Sequence, residues 1–103
     1  MTFKAALVGV AIAALSGVYV ANAADAAAGQ KKYVLCAGCH GPTGAGNEAL
    51  KYPRLAGLQA AYVAEQLRAF KTGARDNATM RAMTAGLNDA DIDNLAAYVA
   101  TLK

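Results

Sequence analysis

The chain has no tryptophan and few β-branched residues, so little in it argues for a sheet. Its alanine-rich composition favours helices. Charge is scarce as well. Ten Lys and Arg against seven Asp and Glu leave a formal +3, scattered along the chain and too small to argue for a nucleic-acid partner. Sulfur and imidazole ligands are the scarcest. Two cysteines and one histidine cannot furnish the four ligands of a structural zinc site, and there is no second cluster to complete the set.

One long apolar run is present, and it stands at the start. MTFK gives a short positive opening, AALVGVAIAALSGVYV (5–20) is uncharged, and Ala21-Asn22-Ala23 supplies a small-x-small pattern. This order of parts predicts a secretory signal peptide over residues 1–23, cleaved after Ala23. The alternative is a retained anchor, for which the run is short against the ~20 residues of a membrane span. Cleavage leaves a domain of residues 24–103, one positive charge poorer for the loss of Lys4. A domain of that size is marginal on its own core and calls for a staple.

The staple is legible in CAGCHG (36–41), which holds both cysteines and the only histidine. A Cys36–Cys39 disulfide would close a tiny loop and stabilise little. A thioredoxin-type pair needs a strand–helix setting, and no strand-like run precedes Cys36. The pattern that remains is C-x-x-C-H, the attachment site of c-type haem. Each thiol adds to one haem vinyl group, and the two intervening residues let one helical turn set the sulfurs at the vinyl separation. His40 then offers its imidazole to the iron. The Gly-rich GPTGAGNEAL (41–50) lacks the preceding strand and lysine of a phosphate loop.

A sixth iron ligand is expected from methionine, the usual partner in electron carriers. Met80 and Met83 are the candidates once the leader is gone. On a helix they would share a face, and only one can bind; the other would fill the core. The residues themselves leave that choice open.

Asp25 predicts the cap of a first helix over 26–35, ending at a Cys36 turn. A second helix is predicted over 59–72, with Tyr62, Val63, Leu67 and Phe70 inward and Glu65 and Arg68 outward, stopped by Gly73. A last helix is predicted from Asn88 or Asp89, with Ile92, Leu95, Ala96, Val99 and Leu102 as its apolar stripe.

CAGCHG, TGAG (43–46), YPRLAGL (52–58), YVAEQLRAF (62–70), NATM (77–80) and LNDADIDNLAAYVA (87–100), in this order, resemble the class I c-type cytochromes, close to the bacterial periplasmic cytochrome c4/c5/c553-like group. The resemblance covers residues 26–103. It implies an all-α class I cytochrome c fold, with helices wrapped around one covalently bound haem c. It places the ligand methionine seven residues before Leu87, at Met80, and gives Met83 a packing role. It has the Pro53 carbonyl accept the Nδ1–H of His40, and sets Leu55 and Leu58 against the haem. Gly29 would allow the first and last helices to cross closely, with Tyr33 and Tyr98 around the crossing.

The activity so implied is that of a soluble periplasmic electron carrier, with His40/Met80 iron cycling between Fe(II) and Fe(III) and no catalytic residue. Its partners would be a redox protein donor and a redox protein acceptor, met transiently by a monomer. No nucleic acid would be bound, and no membrane span would remain after cleavage. Lys51, Arg54 and Arg81 read as solvated surface charge. Two other readings share the motif: a haem subunit held tightly by a periplasmic dehydrogenase or oxidase, and an enzyme or gas sensor with an open sixth site.

Overall fold

A computed structural model of the chain describes residues 23–103. The expected leader, apart from Ala23, lies outside the described residues. Five helices follow in order: α1 (Ala26–Lys32), α2 (Val34–His40), α3 (Ala60–Thr72), α4 (Ala78–Thr84) and α5 (Asp89–Val99). Among the described residues, β pairing is limited to one isolated bridge, Asn47 with Tyr52. The all-α reading holds.

Asp25 starts α1 as expected. Its Oδ1 accepts from the backbone N–H of Ala27 at 2.9 Å and Ala28 at 3.2 Å, satisfying two otherwise unpaired donors. Its own N–H reaches Asn94 Oδ1 on α5 at 2.8 Å, so the cap also ties the two helices together. The first helix does not run to Cys36. It breaks at Tyr33 and resumes at once, so the cysteines sit inside α2 and not on a turn after α1. The break is slight, because residues 31–40 carry no proline and Tyr33 keeps helical angles. Its N–H is shared between the carbonyls of Gly29 and Gln30.

The last helix begins with a reciprocal cap. Asp91 N–H donates to Asn88 Oδ1 at 2.8 Å, and Asn88 N–H donates to Asp91 Oδ2 at 3.1 Å. Ile92, Leu95, Ala96 and Val99 recur on one face and are all buried; Leu102 is half-buried. That stripe forms the core with Tyr33, Val63 and Leu87, and Leu55, Leu58 and Leu67 pack against it. Burying a side chain such as Ile92 or Leu95 stabilises by about 1.5–3 kcal/mol. Gly29 lies where α1 meets α5. A Cβ there would fall 1.9 Å from the Asn94 carbonyl oxygen, so only glycine permits this approach. Tyr33 and Tyr98 flank the crossing, with ring centroids 5.3 Å apart.

Val63 and Phe70 of α3 are buried and Leu67 is half-buried, whereas Tyr62 is 48% exposed and leaves the predicted stripe. Tyr62 stands one residue, about 100° of helix, from Val63, outside the arc that faces α5. Gly73 ends α3 in the left-handed region at φ 87°, as predicted. α4 was not foreseen as a separate helix. It is only seven residues long, capped by Asn77, and packs on α3. Lys71 near the end of α3 donates to the carbonyl of Leu87, which links α3 to the segment between α4 and α5.

Candidate functional site

Cys36, Cys39 and His40 lie within seven residues of helix, so Cys36 shares a face with both of the others. Neither cysteine forms a disulfide; Cys36 is half-buried and Cys39 exposed. Burial pushes the Cys36 thiol above its ordinary pKa, and the nearby Cys39 adds to the shift. His40 is 7% exposed at the C-terminus of α2. Tyr33 helps to fix that end, its hydroxyl donating to the Gly41 carbonyl at 2.7 Å.

The loop after α2 turns back under the histidine. Gly46 N–H donates to the His40 carbonyl at 2.8 Å, and Asn47 and Tyr52 exchange backbone hydrogen bonds of 2.7 and 2.9 Å. Gly46 has φ 72°, and a Cβ there would meet the Tyr52 oxygen at 2.6 Å and the Pro53 carbonyl carbon at 2.7 Å. A side chain at this position would push away the Tyr52–Pro53 segment. The result is that Pro53 O lies 2.8 Å from His40 Nδ1. A carbonyl oxygen only accepts, so Nδ1 carries the proton of the neutral ring and Nε2 keeps the lone pair. Among the described residues, Nε2 makes no hydrogen bond.

The structure thus gathers Cys36, Cys39, His40 and Pro53. Met80 is half-buried on α4, a different element. Met83, expected to pack, is 40% exposed. Lys51, Arg54 and Arg81 are exposed, as expected. Two contributors escaped the sequence reading. Thr84 is almost fully buried and bonds back to the Met80 carbonyl, and Gly46 shapes the turn under His40. The spacing from Met80 to Thr84, four residues, was the available signal for the first.

A family model described as cytochrome c matches residues 26–103. The chain is 45% identical over 93 residues to the thiosulfate dehydrogenase electron acceptor of Thiomonas intermedia (strain K12), covering 90% of this chain and 43% of that protein. It is 42% identical over 79 residues to cytochrome c-554(548) of Halomonas halodenitrificans, covering 74% of this chain and 94% of the relative. Reduced recombinant cytochrome c4 from Pseudomonas stutzeri aligns with TM-score 0.68 at 35% identity, over 79% of this chain and 51% of that structure. The chain spans less than half the length of the first curated relatives it matches.

The group such proteins carry is covalently bound haem c, and the donor set fits it. Two sulfurs stand one helical turn apart, next to a buried imidazole whose Nδ1 is occupied and whose Nε2 has no partner among the described residues.

Proposed function

We propose a function from one premise: the chain belongs to the cytochrome c family. In this reading it is an electron carrier, and the single observation that carries it is His40, buried, adjacent to Cys39 and tethered through Nδ1 to Pro53. Haem c supplies a one-electron Fe(II)/Fe(III) couple when bound. Cys36 and Cys39 would hold it by thioethers, and His40 Nε2 and Met80 would ligate its iron. The Pro53 carbonyl fixes the imidazole plane and makes the ring a stronger donor. Because His40 hangs from the same helical turn as both sulfurs, anchor and ligand move as one body. That limits rearrangement between the two oxidation states. A methionine in the remaining position favours a high potential.

The chain is a carrier rather than an enzyme in its own right, since its one histidine is committed to the anchor. Residues 1–23 are a leader, and residues 24–103 act in the periplasm as a monomer. Among the described residues, no helix is long and apolar enough to cross a membrane. Its partners are redox proteins met briefly, through the small contacts typical of electron-transfer encounters.

A second reading is favoured by the similarity to the Thiomonas protein, which its name describes as an electron acceptor for thiosulfate dehydrogenase. There the chain would receive electrons from a sulfur-oxidising dehydrogenase as a held subunit. A purified chain that is monomeric and exchanges electrons freely supports the first reading; co-purification with a dehydrogenase supports the second.

The test of the site is the absorption spectrum of the matured, reduced protein with and without carbon monoxide. A low-spin six-coordinate spectrum that ignores the gas is expected. A prompt shift would mean an open sixth position and would replace the carrier by a sensor or enzyme.

A further inference from the structure

Two side chains grip the backbone of Met80 along α4, one from each end. Asn77, the N-cap, accepts from the Met80 N–H through Oδ1 at 2.9 Å. Thr84 donates through Oγ1 to the Met80 carbonyl at 2.8 Å, with the Arg81 carbonyl at 3.3 Å. Thr84 is 1% exposed, and among the described residues it and His40 are the buried polar side chains. Among the described residues, no comparable pair of side chains converges on the backbone of the exposed Met83.

A seven-residue helix is too short to hold itself, so its register depends on contacts of this kind. A threonine hydroxyl bonded four residues back does not strengthen a helix; it competes with the helical pattern and tends to bend it. Thr84 therefore adds no helical propensity. Its hydroxyl fixes where one carbonyl points, and that carbonyl belongs to Met80. Asn77 does the same for the N–H of the same residue.

We infer that Asn77 and Thr84 are positioning residues that hold Met80 in place as the sixth iron ligand. The inference rests on the reading of Met80 given above. Both peptide groups that flank the Met80 Cα are fixed, so its side chain leaves the helix in one direction. The same grips distinguish two methionines three residues apart: Met80 receives side-chain hydrogen bonds on both of its peptide groups, and among the described residues Met83 receives none.

The experiment is carbon monoxide binding to the reduced, matured protein, where the gas enters as the methionine leaves. Losing a hydrogen bond of about 1 kcal/mol corresponds to about a five-fold larger open population. Thr84→Val and Asn77→Ala are each expected to bind the gas about five-fold faster. Thr84→Ser, Asn77→Asp and Met83→Leu should stay within about two-fold of the parent. A purely structural role would lower the unfolding midpoint of Thr84→Val and Asn77→Ala without this local change. If both bind at the parent rate while Met80→Leu binds promptly, the positioning role is overturned and the Met80 reading stands. If Met80→Leu keeps the parent's slow binding, Met80 is not the ligand and both fall. Asn77 is exposed, so Asn77→Ala decides the matter even where Thr84→Val does not mature.

Discussion

Where α1 crosses α5, Gly29 brings backbone against backbone, and Tyr33, Ile92, Leu95 and Val99 close over the contact. Along α2, only a few residues away, Val34 is 72% exposed and Leu35 56% exposed, and a Cβ on Gly38 would touch nothing within 4 Å. One region is held by excluded water and close packing. The other is held by individual hydrogen bonds: Tyr33 to Gly41, Gly46 to His40, His40 to Pro53. Tyr33 belongs to both, its ring in the crossing and its hydroxyl on the end of α2. The crossing gives the domain its stability, and the α2 face gives it a directed imidazole. A substitution in the first should act on folding, and one in the second on the cofactor.

The largest effect should break the crossing. In Gly29→Ala the new Cβ would overlap the Asn94 carbonyl and crowd Leu95 N at 3.0 Å, and neither is a flexible side-chain tip. Overpacking of ordinary cores costs about 1–3 kcal/mol, and a clash of backbone with backbone should exceed that range. Thermal unfolding of the matured protein should show a loss of more than about 12 °C. Gly38→Ala is the matched control, adding the same methyl to α2 where there is room. It should be neutral, or stabilise by up to about 0.5–1 kcal/mol through helix propensity.

A smaller effect is expected from Gly46→Ala, and it should separate the two regions. The substitution combines positive-φ strain with the approach of Tyr52 O, and both act on the segment that carries Pro53. Strain of this kind costs about 1–2 kcal/mol. The more telling measurement is the midpoint potential. With the Pro53 carbonyl displaced, His40 becomes a weaker donor, ferric iron is less favoured, and the potential should rise. An unchanged potential with lowered stability would mean that the loop supports the fold and not the imidazole.

The two helices of the crossing were largely readable from the sequence, because the period of Ile92, Leu95, Ala96 and Val99 and the caps at Asp25 and Asn88 are local signals that the fold obeys, whereas their close approach at Gly29 was implied by the resemblance to class I c-type cytochromes. The five-residue motif was legible for the same reason: its chemistry fixes its spacing. The helical setting of the cysteines was less so. Tyr33 interrupts α1 by sharing one N–H between two carbonyls, and no proline or glycine at that position marks the interruption. α4 was missed because seven residues carry almost no periodic signal. Its evidence lies in the Asn77 cap and the Thr84 back-bond, which join residues three and four positions apart. Tyr62 was placed inward by its helical spacing and Met83 by the resemblance, and both stand exposed.

The smallest effect should come from the charged pairs that join α3 to α5. Arg68 of α3 lies 3.0 Å from Asp93 and 3.5 Å from Asp89 on α5, and its hydrogen bond to Asp93 raises an already high pKa. The guanidinium is therefore charged at every pH the fold survives, and the bridge has no acid–base window of its own on the arginine side. The pairs are solvent-exposed, and bridges of this kind contribute little and are screened by salt. Arg68→Met should lower the unfolding midpoint slightly at low ionic strength and leave it unchanged near ~1 M salt. The midpoint potential should not move under either condition. A large salt-independent loss would instead show that the aliphatic stem of Arg68 contributes packing between α3 and α5 beyond its charge.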